Sequence, residues 1–320
     1  MKQKDYPVCV LCPTYNHAPF IEETMNGFTM QETDFSYVCC IIDDASTDEE
    51  PYVIQRYLQD NFALDDHITV RNEETDDYYL CFAQHRKNYN CYFVVLLLKY
   101  NHYGSPQMAE RKMKYIAEWS EKAKYLAVCE GDDYWIDAHK LQRQFDLLEH
   151  DNTISMCHHN YKELLVDGSV ILRKRNVPER QDLLSISKYN PTQTLTMFFR
   201  NIQPLIPKEL ENRVVYSQFW AMRLAEYGDI YYIDEPMAVY RRNPQSIYGT
   251  KDAFTKFKMS LQNIDNMIFW YGIIKRKDVI YTLSVRARRT SFRYALHFMR
   301  RFQVRKFFKA LYYSYKYYLL

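Results

Sequence analysis

The sequence predicts an α/β protein built on a doubly wound, parallel sheet, and three stretches carry that expectation. Pro7-Val-Cys-Val-Leu-Cys12, Tyr37-Val-Cys-Cys-Ile-Ile42 and Tyr125-Leu-Ala-Val-Cys129 are short, almost wholly apolar runs of buried-strand length. Helical spacing follows each of them, so strand and helix alternate and the strands should lie parallel. Each run also ends on polar residues. These are Pro13-Thr14-Tyr15-Asn16-His17, Asp43-Asp44-Ala45-Ser46-Thr47-Asp48 and Glu130-Gly131-Asp132-Asp133-Tyr134-Trp135. Ligands of open α/β sheets bind outside the carboxyl ends of the strands, so the three polar segments form the candidate site.

In chain order, the first strand gives way to a helix with Ile21, Met25 and Phe28 on one face. After the second strand, Ser46 or Thr47 is placed to cap a helix that runs through Ile54 and Leu58. Ile68 to Val70 reads as a short third strand, and residues 73–105 as an excursion from the sheet over the mouth of the site. Met108 to Lys124 is helical and leads into the strand before the Asp pair. Leu141, Phe145 and Leu148 then mark a further helix. Thr192 to Arg200 is apolar and β-branched enough for a strand, followed by a loop at Gln203-Pro204-Leu-Ile-Pro207. A last strand, Asp229 to Ile233, should turn at Glu235-Pro236.

Composition bounds the rest. The chain has 320 residues, 47% hydrophobic and 26% charged, as ordinary globular proteins do. Its 30 Tyr against 7 Gly fit half-wet surfaces or a plain compositional bias. From Lys275 to Leu320 there are 13 Lys/Arg and one acid, Asp278, which leaves −10 for residues 1–274 against a total of +2. Body and tail should therefore meet different partners. Eight cysteines lack zinc spacing, since Cys9-Val-Leu-Cys12 has no second pair. Buried reduced thiols, no recognisable signal peptide and no apolar run long enough to span a bilayer set the expectation of a cytoplasmic, non-spanning protein.

Asp132 and Asp133 are the densest chemical signal. Adjacent carboxylates raise each other's pKa unless a positive group lies between them. A divalent cation that arrives with a diphosphate would relieve the repulsion, because Mg²⁺ takes one or two carboxylates plus substrate phosphates. The plainer alternative is an acidic turn that caps a helix.

The three polar segments, in this order and spacing, resemble family 2 glycosyltransferases. The resemblance continues through Met156-Cys-His-His-Asn160 and Gly228-Asp-Ile-Tyr-Tyr-Ile-Asp-Glu-Pro-Met-Ala-Val-Tyr-Arg-Arg242, and covers roughly residues 5–250. The subgroup it is most similar to assembles bacterial capsule, lipopolysaccharide or other surface glycans. It implies a GT-A fold, Rossmann-like with a mostly parallel central sheet flanked by helices, in residues 1–250. Residues 251–320 then form a basic, aromatic helical extension. It also implies a nucleotide-sugar donor, expected to be a UDP-sugar, a glycan or lipid-linked acceptor, Mn²⁺ or Mg²⁺, and an inverting transfer. Carried onto this chain, Pro13 and Tyr15 line the donor, with the Tyr15 ring against the base. Asp44 accepts from the uracil N–H, Asp132 from a ribose hydroxyl, Asp133 holds the metal, and Arg241 clamps a phosphate.

The chain departs from the family pattern twice. Asn243 stands where many members have His, two residues after the Arg. The usual Asp base, about a dozen residues before Gly228 at a helix head, is replaced by Ser217 with Gln218 beside it, and neither is a base near neutral pH. The general base is thus unassigned. His158 and His159 compete for the role with the plainer reading of satisfied histidines at a strand end. The alternative function is a nucleotide-sugar-binding subunit of a glycan-assembly complex, with the pocket kept and catalysis impaired.

In the tail, Val304, Phe307, Phe308, Leu311, Tyr315 and Tyr318 recur at helical steps with Arg301, Arg305, Lys309 and Lys316 between them. A basic, aromatic amphipathic helix suits an anionic membrane surface through residues 275–320, which would make the protein peripheral on the inner face of the cytoplasmic membrane. Packing on the catalytic domain or an oligomer contact is the second reading. Nucleic acid, the third, would leave the Asp pair without a role.

Overall fold

The computed structural model describes residues 6–65, 70–103, 105–172, 174, 176–210, 213, 217–244, 246 and 249–318. Its elements run β1 (Val8–Thr14), α1 (Ile21–Thr29), β2 (Tyr37–Asp43), α2 (Glu50–Asn61), β3 (Arg71–Glu74), β4 (Tyr78–Gln84), β5 (Cys91–Leu98), α3 (Pro106–Tyr115) and α4 (Ala117–Ser120). They continue with β6 (Tyr125–Val128), β7 (Tyr134–Trp135), α5 (Lys140–His150), β8 (Ile154–Leu164), β9 (Val170–Leu172), β10 (Arg180–Gln181), α6 (Leu183–Lys188) and β11 (Phe198–Arg200). The last are α7 (Ser217–Leu224), β12 (Asp229–Arg241), α8 (Ala253–Ile273), α9 (Lys277–Arg300) and α10 (Val304–Lys316). Two compact units result. Met1–Glu179, Thr192–Gln203 and Tyr231–Asn243 form one, and Arg180–Pro191, Pro204–Ile230 and Pro244–Leu320 form the other.

The first unit holds a sheet in the order β12-β8-β11-β6-β1-β2-β5-β4-β3, with β7 beside β12 and β9 beside β8. Its centre is parallel, with β1 paired to β2 and β6 and β2 paired to β5. β3, β4 and β11 join antiparallel on either side. β1 and β2 are almost wholly buried, which is why they read as unbroken apolar runs rather than alternating ones. Phe28, Phe62, Phe93 and Trp135 fill one side of the sheet, with the Phe62 and Phe93 rings 4.5 Å apart and the Phe28 and Trp135 rings 4.8 Å apart. All eight cysteines are free and buried.

Several expectations change. Residues 68 and 69 of the expected third strand lie outside the described residues. Residues 73–105 are not an excursion: β3 and β4 make an antiparallel hairpin, and β5 is a parallel neighbour of β2. Phe93 to Leu96 are fully buried, so β5 is an interior strand, and its parallel partner lies too far away in sequence to be seen locally. No Ser46 or Thr47 cap forms on α2, whose N-cap is Glu49 without a side-chain bond. The expected helix over 108–124 is two pieces broken at Ile116. The strand expected over 192–200 is confined to Phe198–Arg200. β12 stays extended through Glu235-Pro236 instead of turning. Side chains 234 and 235 are exposed there, the setting in which a strand tolerates proline.

In the second unit α8, α9 and α10 share an aromatic core around Phe257, whose ring lies 4.9 Å from Tyr294 and 5.9 Å from Tyr313. α8 and α9 both end in left-handed residues, Lys275 (φ 59°) and Phe302 (φ 55°). The next N–H in each case closes back on the helix, Arg276 N to Tyr271 O and Gln303 N to Phe298 O, both at 2.9 Å. Among the described residues no helix is long and apolar enough to cross a membrane.

Candidate active site

The carboxyl ends of β1 and β2 are tied together by one buried acid that the sequence reading missed. Glu50, at the start of α2, accepts from the Thr14 hydroxyl at the end of β1, from His17 N at 2.8 Å and from the Ser46 hydroxyl at 2.8 Å. Burial pushes its carboxyl up to about 7 against the pull of those donors. Both loops are bent through left-handed backbone, at Asn16 (φ 56°) and Ala45 (φ 60°), and alanine is rare in that region. Side chains hold the bend: Asn16 N donates to Ser46 Oγ at 2.9 Å, and Thr47 N donates to Asn16 Oδ1 at 2.8 Å. Ser46 thus serves the loop, bonded to Asp43 and Glu50, rather than capping the helix.

Asp44 follows β2 and is buried. Its Oδ1 accepts from His102 N at 2.7 Å, and its Oδ2 lies 3.2 Å from Lys112 Nζ. Its own N–H bonds Thr14 O at 3.0 Å, which fixes the two strand ends against each other. Lys112 and His102 come from segments 68 and 58 residues away, a pairing that no local signal announces.

The Asp pair meets this corner through Gly131. Gly131 N donates to Pro13 O at 3.2 Å, and the Thr24 hydroxyl donates to Asp133 O at 2.6 Å. Asp133 is 2% exposed, and its Oδ1 accepts from Arg241 N at 2.8 Å. Burial, then Asp132 and Glu130, hold its carboxyl well above the usual range, with Arg241 opposing. The Asp132 side chain keeps 15% exposure and lies 3.7 Å from His17 Nε2. Burial lowers the His17 pKa while Asp132 and Asp48 pull it up. Glu130 is pushed up to about 7, first by burial and also by Asp132. Arg241 braces the loop, with Nε on Asp132 O at 2.9 Å and the guanidinium paired to Glu23 over the Phe20 ring.

Crowded carboxylates with raised pKa values are the donor set that a dication relieves. Among the described residues no three His, Cys, Asp or Glu side chains form a closed metal cage. A Mn²⁺ or Mg²⁺ ion here would draw its remaining ligands from phosphate oxygens and water, which is the ordinary coordination of Mg²⁺. The residues fit a metal that arrives with a diphosphate.

A methyl group at Gly131 would lie 2.0 Å from Thr14 Oγ1 and 2.6 Å from Thr14 Cβ. Gly131→Ala must therefore displace Thr14 and, with it, the Glu50 and His17 contacts. The expected result is a loss of about 2–3 kcal/mol of stability, as for an overpacked core, and at least tenfold weaker nucleotide binding by titration calorimetry.

Of the other expected residues, Tyr15 stays on this corner and the rest fall elsewhere. Tyr15 is half-buried in the loop after β1. His158 and His159 are buried in β8. His159 Nδ1 lies 2.6 Å from Asn160 O, and burial with nearby Lys140 holds its pKa well below the ordinary value. Both are interior residues of the strand. Ser217 opens α7 in the second unit, at a helix head as anticipated. Gln218 beside it accepts from Arg286 Nη2 at 2.7 Å, and the next acid, Glu226, is held by Arg223 and by Trp270 Nε1 at 2.9 Å. His17 and Glu130 lie inside the polar segments that end β1 and β6, where sequence alone assigns them no chemistry, while Glu23 and Glu50 carry no sequence signal.

Residues 9–79 match the family model of glycosyl transferase family 2. An uncharacterized protein of Mycobacterium tuberculosis is 26% identical over 242 residues, covering 73% of this chain and 58% of the relative. An uncharacterized protein of Mycobacterium bovis matches to the same extent, so the chain spans 58% of the length of these relatives. Among solved structures, the mannosyltransferase PcManGT from Pyrobaculum calidifontis, in complex with GDP-Man and Mn²⁺, superposes with a TM-score of 0.51 at 15% identity. The match covers 89% of this chain and 76% of that one. S. aureus TarS 1–349 in complex with UDP gives a TM-score of 0.48 at 14% identity, over 98% and 91% of the two chains. The likeness to the mannosyltransferase shows a shared GT-A fold. The segment that matches glycosyl transferase family 2 spans β1, β2 and the strand end that carries Asp44.

Proposed function

We propose that the protein transfers a sugar from a nucleotide-sugar donor, a UDP-sugar by preference, to a glycan or lipid-linked acceptor, with inversion and with Mn²⁺ or Mg²⁺. The setting is bacterial surface-polysaccharide assembly, with residues 1–250 as the transferase part, residues 251–320 as a helical extension, and the protein peripheral on the inner face of the cytoplasmic membrane. One observation carries this reading. The Asp132–Asp133 loop is locked by Gly131 and Thr24 onto the same corner where Glu50 joins the ends of β1 and β2.

On that corner the base would lie against Tyr15 and Pro13, with Asp44 as acceptor for the uracil N–H. Asp132, the more exposed of the pair, would accept from the ribose. Asp133 would hold the ion. An ion held there would supply the positive charge that offsets a departing nucleoside diphosphate. Arg241, through its backbone N–H and guanidinium, keeps the Asp loop in place and adds positive charge beside it.

The first test is nucleoside diphosphate release from a panel of UDP-, GDP- and dTDP-sugars with Mn²⁺, Mg²⁺ or chelator. Metal-dependent release from one donor supports the reading, and failure to bind any nucleotide sugar overturns it. Ser217 favours a second reading, a binding subunit with impaired catalysis. Metal-dependent binding without release, even with acceptor extracts added, is its expected signature.

Asp44 sets the base preference in this proposal. Asp44→Ala should weaken UDP binding about 10- to 100-fold, the worth of a hydrogen bond to a charged group, and should bring UDP and CDP affinities together. Lys112→Met should leave the preference for UDP in place. Calorimetric titration of both nucleotides against both variants decides the point, and an unchanged UDP-to-CDP ratio in Asp44→Ala removes Asp44 from base recognition.

A further inference from the structure

α10 carries apolar residues on its outer face as well as on the face packed inward, where Tyr313 lies 5.9 Å from the Phe257 ring. Ala310 and Tyr317 are buried, and Lys306 lies 3.8 Å from Asp252 at the surface. Outward lie Val304 at 60% exposure, Phe308 at 62%, Tyr312 at 64% and Tyr315 at 62%. Steps of four, four and three residues put these side chains in one stripe along the helix. Phe302, in the turn before it, is 92% exposed. Exposed Arg305, Lys309 and Lys316 run along one side of the stripe.

We infer that this face of α10 is a docking surface for an anionic lipid bilayer, which it would meet lying in the plane of the interface. The inference deepens the peripheral placement proposed above and rests on that placement, not on the donor chemistry. Charge selects the occupant. Residues 301–318 contain five Lys/Arg and no acid, so a second copy of the same face would bring like charges together without a carboxylate to pair them. An anionic headgroup layer pairs with the cations while the rings enter the boundary beneath it. Each Lys or Arg near such a surface contributes about 1 kcal/mol, and tyrosine suits a site that is apolar at one end and wet at the other.

The test uses the full chain with vesicles of phosphatidylcholine alone, or of roughly three parts phosphatidylcholine to one of phosphatidylglycerol. Co-sedimentation should be at least about tenfold stronger on the anionic vesicles and fall with added salt. The double variants Phe308→Ser/Tyr312→Ser and Arg305→Glu/Lys309→Glu should each lose about tenfold or more, with melting temperatures unchanged because the side chains are exposed. Phe308→Trp should show a blue-shifted emission on anionic vesicles. Equal binding to both vesicle types, or unchanged binding by the variants, overturns the inference. So does a dimer that Phe308→Ser/Tyr312→Ser dissolves, or nucleic-acid binding that the same variants abolish in a protein that ignores vesicles. UDP binding, measured alongside, should be unaffected by the variants. If UDP fails to bind in every form while the vesicle results hold, the donor reading falls and the membrane surface stands.

Discussion

Asp133→Asn is expected to reduce metal-dependent nucleoside diphosphate release by at least about a thousandfold, equivalent to about 4 kcal/mol of transition-state stabilisation. The variant separates charge from structure. Asn keeps the shape of Asp and an oxygen that can still accept from Arg241 N, the contact at 2.8 Å that seats the loop. What disappears is the charge that an incoming ion would meet. The fold should not suffer. Asp133 is buried beside Asp132 and Glu130, and its carboxyl is held well above the ordinary range by burial first and those neighbours next. A raised carboxyl contributes stability at low pH that is lost as pH rises through the folded value. At neutral pH and above, Asn should therefore match or exceed the melting temperature of the wild type. The same raised carboxyl requires ion binding to displace a proton, so the wild-type affinity for Mn²⁺ with UDP should weaken as pH falls. Metal-dependent release at wild-type rates in Asp133→Asn would remove the ion from this residue.

The legible part of the molecule was the part written in short range. β1, β2 and β6 are buried on both faces, and their apolar runs showed in sequence because no alternation interrupts them. The polar ends of those strands likewise pointed to Asp44, Asp132 and Asp133, and the structure brings all three to one edge of the sheet. Long-range pairing was not legible. β5 reads as part of an excursion because its partner, β2, lies some fifty residues earlier. Lys112 reaches Asp44 from 68 residues away, and Glu50 reads as one more acid in an acidic stretch. Only the folded chain shows that it faces inward, onto Thr14, His17 and Ser46. Ser46 shows the same limit: a hydroxyl before a helix is a fair cap by pattern, but the buried acceptors Asp43 and Glu50 outcompete the helix end for it.

Glu50→Gln is expected to stabilise the protein, increasingly as pH rises from 5 to 8. Burial pushes the Glu50 carboxyl up from the ordinary value of 4.5 to about 7. Between those two values the folded chain holds a proton that the unfolded chain has released, so stability falls with rising pH. The contribution is full below about 4.5 and lost above about 7, where folding must bury the carboxylate. A displacement of this size corresponds to about 3 kcal/mol, the value to expect before relaxation. Glutamine never ionises, so the variant should equal the wild type near pH 5 and melt roughly 5 °C higher at pH 8. Histidines with lowered values, His17 and His159 among them, act in the opposite sense below pH 6.5, which is why the difference between variant and wild type is the quantity to measure. Gln can still accept from His17 N, so the two loops should stay joined and nucleotide affinity should change by less than about threefold. A variant that is destabilised at pH 8 relative to pH 5 would show that the carboxylate, and not its protonated form, is what Thr14, His17 and Ser46 are arranged to hold.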